Sequence, residues 1–229
     1  MNNNILNTLL VIFIIIIATK MYLQSDSFNL RCIISGVNGN TYCVRDRSKL
    51  QLAADRLATI NTKMNKLVTY IGQKYPEQEN VKRLVKGYNP KKIYETLPTS
   101  EYTAYSENKG EKLAFCLDTE KNSQGRLIDI NTLMYVALHE LSHVASESIG
   151  HTDEFWENFK FLITEAKEIE VYNPVDYKKE PSRYCGMNIT DNPFLKIILG
   201  FVYIYFFKVV VHLSICITDS VLDYLNDDQ

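Results

Sequence analysis

Apolar residues recur at helical spacing through Leu50, Ala53, Ala54, Leu57, Ile60, Met64, Leu67, Val68 and Ile71, which predicts one long amphipathic helix ending before Gly72. Ser48-x-x-Gln51 has the form of a capping box that would open it. A second helical stripe, Phe155, Trp156, Phe159, Leu162, Ile163, Ala166 and Ile169, follows Thr152-Asp-Glu, a cap with acidic first-turn residues. Between these stripes, Asn131 is placed to cap a mostly apolar helix beginning Thr-Leu-Met-Tyr-Val-Ala-Leu138. Strand-like runs pair as two hairpins, Leu30 to Ser35 with Thr41 to Val44 about Asn38-Gly39, and Tyr102 to Ser106 with Lys112 to Leu117 about Asn108-Lys-Gly110. A short basic helix is expected around Val81 to Val85, then a loop through Gly87-Tyr-Asn-Pro90. Beyond Ile169 the chain turns polar and is punctuated by Pro174, Pro181 and Pro193.

Two segments depart from amphipathicity by being apolar throughout. Ile5 to Ala18, extended to Leu23, is near the length that crosses a bilayer if Lys20 snorkels. A signal peptide is the rival reading, but Met-Asn-Asn-Asn carries no Lys or Arg and no small-x-small site follows, so an uncleaved anchor is expected. Ile197 to Thr218 is 22 residues long and holds Lys208 and His212 near its middle. A central lysine costs about 3 kcal/mol, whereas each Ile, Leu, Phe or Val returns roughly 0.3 to 0.6, which favours insertion. The fourteen such residues here tip that balance, so a second membrane helix is expected. The organisation is therefore an N-terminal anchor over 1–24, a middle domain over 25–193 and a C-terminal membrane segment with acidic tail over 194–229.

Charge and cysteines bear on surroundings. The domain-facing ends of the two apolar segments carry Lys20 and Lys196, while the outer tails have no Lys or Arg, which places the middle domain on the cytoplasmic or virion-interior side. From Lys20 to Lys196 inclusive, 24 basic and 23 acidic side chains balance, so the cluster Lys82, Arg83, Lys86, Lys91 and Lys92 is read as a solvated face and nucleic acid is not an expected partner. The cysteines number five, an odd count. A two-residue turn at Asn38-Gly39 would pair 34 with 43 and leave Cys32 and Cys43 diagonal, about 7 to 8 Å apart and beyond disulfide reach. Reduced cysteines agree with the cytoplasmic side. Against it stands Asn188-Ile-Thr190, a glycosylation sequon that matters only in a lumenal chain.

The chemistry lies in His139-Glu-Leu-Ser-His143, followed after seven residues by His151. Residues four apart share a helix face, so His139 and His143 can present two imidazoles to one metal ion with Glu140 beside them. Gly150 can end the helix and turn the chain so that His151 supplies a third ligand, leaving one tetrahedral position open for water. Three of the four histidines in the chain are gathered here. An ordinary amphipathic helix with solvated histidines would leave His151 and the following capped helix unexplained.

His139-Glu-x-x-His143, a spacer and Gly150-His151-x-x-x-Phe155 resemble the zincin metalloproteases of the SprT and WLM type. His139 through Ala166, with Tyr184-Cys-Gly-Met187, resembles more closely an uncharacterised metallopeptidase-like family of large DNA viruses. The spacer is longer than the metzincin one, and no Met-turn is assigned, so a metzincin label is not supported. The fold expected is an α+β, zincin-like domain, with a small antiparallel sheet, the long helix and the metal-bearing helix pair, flanked by the membrane helices that the two apolar segments predict. The resemblance implies zinc on His139, His143 and His151 and Glu140 as general base, acting on a protein or peptide substrate beside the membrane lipid. A tyrosine would stabilise the oxyanion, and Tyr184 is the candidate. In zincins the strand corresponding to Lys112 to Leu117 forms the sheet edge beside the metal; an internal, core-filling strand is the alternative. A membrane-anchored zinc metallopeptidase is the leading function, ahead of a catalytically silent zincin-fold membrane or virion structural protein and of a membrane protein without metal.

Overall fold

In the computed structural model, residues 3–23, 30–121 and 126–193 are described. Helix α1, Asn3–Leu23, stands apart, with every side chain from Ile5 to Tyr22 exposed. It is long and apolar enough to cross a membrane. The apolar segment expected over 197–218 lies outside the described residues.

The domain is α+β. Strands β1 (Leu30–Ile34), β2 (Thr41–Arg45), β3 (Ile93–Glu95), β4 (Ala104–Glu107) and β5 (Lys112–Phe115) form one sheet in the order β1-β2-β3-β5-β4. Helices α2 (Leu50–Lys74), α3 (Glu79–Gly87), α4 (Ile130–Ala145) and α5 (Asp153–Glu168) pack with it. The sheet is mixed rather than purely antiparallel, because β3 runs parallel to both β2 and β5. Strand β3 has only three residues, Ile93-Tyr-Glu, too few for alternation to stand out from the preceding loop. That insertion also settles the place of β5, which is internal, between β3 and β4; the edge strands among the described residues are β1 and β4, and β4 is the one on the β5 side.

Helix α2 buries the expected stripe, with Ala53, Ala54, Leu57, Ile60, Met64, Leu67 and Ile71 inaccessible. Both of its predicted ends differ. Lys49 occupies the N-cap without a side-chain bond, because Gln51 reaches the Ile34 carbonyl and Asp55 instead of closing a capping box. Gly72 lies inside the helix, where a Cβ would come within 3.0 Å of Val85 Cγ2; its small size serves the packing of α2 on α3.

The first hairpin shifts register by two residues from the expected one, with Cys32 opposite Cys43 and Ile34 opposite Thr41. Asp55 of α2 accepts hydrogen bonds from Ser35 Oγ (2.6 Å) and Gly36 N (2.9 Å), and Ser35 N closes onto the Asn40 carbonyl. The connection is therefore a longer loop, with Gly39 in the left-handed region, instead of a two-residue turn. Cys32 and Cys43 consequently form a disulfide, and Cys116 and Cys185 form a second. This removes the cysteine argument for a reducing surrounding. We expect alkylation of the unreduced full chain to label one cysteine, Cys216, and all five after reduction, as read by intact mass.

The second disulfide ties the end of β5 to a small hairpin, β6 (Ser182–Tyr184) and β7 (Met187–Ile189), with Cys185 and Gly186 in the left-handed region between its strands. Sequence reading placed this hairpin in a polar wrap, its strands being three residues each.

Where β2, β3 and β5 end lies a buried ionic cluster. Glu95 and Asp118 are both paired to Arg47, the latter at 2.7 Å. Arg45 adds bonds to the Thr96 carbonyl (2.7 Å) and the Lys121 carbonyl (2.8 Å), while its backbone N–H donates to Glu95. Burial pushes both carboxyls upward in pKa, and the arginines pull them back.

Candidate metal centre

Helix α4 carries the metal motif on a deeply buried scaffold. Its N-cap is Asp129, which accepts from Thr132 N at 2.8 Å, two residues earlier than the expected Asn131. Asn131 is drawn off by a reciprocal pair with Asn173, donating to its carbonyl at 2.8 Å and accepting from its N–H at 2.9 Å. The helix ends at Ala145, so Gly150 does not terminate it; with φ +86 it makes the turn just before His151. Thr152 caps α5 as expected, accepting from Phe155 N.

These two helix ends bring three imidazoles into a near-equilateral triangle. Ring centroids are 5.0 Å apart for His139 and His143, 4.9 Å for His139 and His151, and 5.0 Å for His143 and His151. One ligand atom from each lies within 4.8 Å of the others, and His139 Nε2 stands 3.1 Å from His151 Nε2. Two nitrogens on a tetrahedral zinc, each bonded at about 2.0 to 2.1 Å, sit roughly 3.3 Å apart. The His139–His151 pair stands near that spacing and the other pairs lie within 4.8 Å, so the three residues fit a three-histidine metal site with a small closing of the triangle. Phe155, fully buried, forms the floor beneath the rings, at 4.8 Å from His139 and 4.4 Å from His143. Trp156, placed by sequence on the buried stripe, is 44% exposed instead and lies 5.9 Å from the His151 ring.

The electrostatics suit metal binding. Burial and the neighbouring imidazoles hold His139 down to about 3 and, with Lys109 adding its charge, His143 down to about 4. Both rings are thus neutral, and able to donate a lone pair, across the physiological range. Glu140, 6% exposed, is pushed up to about 8 by burial alone.

These three groups set a pH dependence for the metal-free chain. Unfolded histidines take up protons near pH 6.5, folded ones only near 3 to 4, so stability falls as pH drops below about 6.5. Glu140 acts oppositely, its stabilising proton being lost as pH rises through about 8. From these groups alone, thermal melts of the metal-free chain between pH 4 and 9 are expected to peak near pH 6.5. A midpoint that climbs steadily to pH 9 would contradict it.

The triangle opens into a cleft of about 1290 Å³ lined by His139, Glu140, His143 and His151, by edge strand β4, and by Tyr102, Tyr105 and Ile149 at its rim. Tyr184 does not line it. Its ring is buried and its hydroxyl donates to the Thr103 carbonyl at 3.1 Å, an anchor for the chain entering β4. Among the described residues Tyr102 and Tyr105 are the tyrosines that line the cleft; no spacing signal distinguished them among fifteen. Sequence reading also missed Lys109, whose Nζ reaches the carbonyls ending α4, since a turn lysine carries no pattern.

No protein-family model matches the chain. Among solved structures, the crystal structure of Wss1 from Saccharomyces cerevisiae aligns over 55% of this chain and 84% of its own, with a TM-score of 0.40 and 17% identity. Two proteins of invertebrate iridescent viruses are similar over shorter stretches. Uncharacterized protein 136R of Invertebrate iridescent virus 6 is 31% identical over 75 residues, which is 33% of this chain and 41% of the relative. Uncharacterized protein 042R of Invertebrate iridescent virus 3 is 42% identical over 62 residues, 27% of this chain and 38% of the relative. Uncharacterized protein R325 of Acanthamoeba polyphaga mimivirus is 32% identical over 162 residues, spanning 69% of this chain and 81% of its own length. With that identity sustained over most of both proteins, the chain belongs to the viral protein family represented by mimivirus R325.

Proposed function

We propose that the chain is a membrane-anchored, zinc-dependent metallopeptidase. The observation that carries this reading is the convergence of His139, His143 and His151 with Glu140 in a cleft bordered by β4, an edge strand among the described residues. The three histidines would hold zinc, which supplies a Lewis acid that polarises a carbonyl and makes water nucleophilic near neutral pH. Glu140 takes the proton of the attacking water and delivers it to the leaving amine. Burial raises its proton affinity in the metal-free chain, and a cation on the three imidazoles would lower it again, giving the carboxylate that accepts the proton. Tyr102 or Tyr105, in the cleft, is better placed than Tyr184 to meet the developing oxyanion.

The substrate is a protein or peptide in extended form, near the membrane surface. Helix α1 serves as an uncleaved anchor. The two disulfides favour a surrounding removed from cytosolic reductants and so oppose the cytoplasmic side that the flanking lysines suggest. The near-neutral middle domain offers no field to hold nucleic acid.

The test is hydrolysis of a diverse peptide mixture by the detergent-solubilised full chain, read by mass spectrometry. Cleavage is expected to disappear with a chelator and return on adding zinc. A chain that holds zinc yet cleaves nothing would indicate a catalytically silent structural protein.

A further inference from the structure

Between the end of α4 and His151 the chain runs through Ser146, Glu147, Ser148 and Ile149, with no secondary structure of its own to fix its path. Charged side chains from three separate elements grip it. Lys109, at the tip of the β4–β5 turn, points its Nζ at four main-chain carbonyls: Ser146 at 2.8 Å, Ser148 at 2.9 Å, Glu147 at 3.3 Å and His143 at 3.4 Å. From α3, Arg83 Nε donates to the Ala145 carbonyl at 2.8 Å. Glu154 holds the opposite polarity, accepting from Glu147 N (2.8 Å), Ser148 N (2.9 Å) and Ser148 Oγ (2.7 Å) while paired with Arg83 at 2.9 Å.

The cations sit where the helix dipole and the unpaired last carbonyls present negative charge, and the carboxylate meets the free N–H groups. The turn that carries Lys109 is itself fixed. Asn108, Lys109 and Gly110 all lie in the left-handed region, and a Cβ on Gly110 would meet the Gly87 carbonyl oxygen and Val144 Cγ1, each at 2.8 Å. Lys109 is therefore presented by a backbone wedged against the ends of both α3 and α4.

We propose that Lys109 and Glu154 are positioning residues for the metal site: together they set the path of 146–149 so that His151 meets His139 and His143. The inference rests on the metal reading of the three histidines, and it adds the device that makes the third ligand available. Lys109 belongs at once to the cleft border and to the ligand loop, so it also couples the strand edge to the metal site.

The experiment compares the full chain in detergent with Lys109→Met, which keeps the aliphatic stem, and Glu154→Gln. Zinc affinity is measured by chelator competition, and amide exchange at 147–151 is followed in the metal-free chain. Each substitution is expected to weaken zinc about 10- to 100-fold, the usual effect of losing a group that orients a ligand. Amides of 147–151 should exchange faster, while the helices keep parental rates. Zinc affinity within twofold of the parent, together with parental exchange in both variants, would overturn the proposal. If the parent itself holds no zinc, the metal reading fails separately and exchange at 147–151 decides the clamp alone: faster supports it, unchanged overturns it.

Discussion

Replacing Glu140 by glutamine is expected to lower peptide hydrolysis at least about a hundredfold while zinc binding persists. The amide is nearly isosteric and can still occupy the buried position, so the fold and the three imidazoles are undisturbed. What is lost is the ability to take a proton from water and pass it on, a contribution that typically amounts to 10²- to 10⁴-fold. The buried carboxyl also exacts a desolvation cost whenever it is charged, which glutamine does not. The metal-free variant should therefore melt at least as high as the parent at pH 8. Initial rates, zinc content and melting midpoints measured on the same preparation separate the two effects. Retained hydrolysis would assign the base elsewhere.

Substituting Arg47 by methionine should be the most destabilising single change outside the core. Arg47 is the common partner of Glu95 and Asp118, whose side chains are almost wholly buried. Removing it leaves two carboxylates facing each other with only Arg45 nearby. Deleting one partner of a buried ion pair costs about 3 to 5 kcal/mol, because the remaining charge stays buried. Protonation of a carboxyl would relieve part of that cost, so the loss should be smaller at pH 5 than at pH 8. Urea unfolding at the two pH values measures it; a loss below about 1 kcal/mol at pH 8 would show that the cluster is solvated.

The parts legible from sequence were those written in strong periodicity or paired chemistry. The stripe of α2 and the four-residue spacing of His139 and His143 needed no tertiary knowledge, since each is a property of one helix. His151 was legible too, because a glycine and a capped helix flank it. What escaped depended on partners distant in sequence. The register of the first hairpin is set by Asp55, a helix residue, and no turn rule includes it. The Cys116–Cys185 disulfide joins residues 69 apart through a hairpin too short to announce itself. Strand β3 is recognised only by the parallel neighbours it joins. Tyr184 was singled out for its segment, whereas burial commits its hydroxyl to the Thr103 carbonyl. Lys109 takes its meaning from four carbonyls in the last turn of another helix and the segment that follows it.

The most direct measurement is zinc per chain in the purified full-length protein, by elemental analysis, beside a His143→Ala variant. The metal-centre reading predicts one zinc per parent chain and a large loss in the variant, with both chains showing the same helical circular dichroism. A well-folded parent that takes up no zinc, even after reloading, would contradict it.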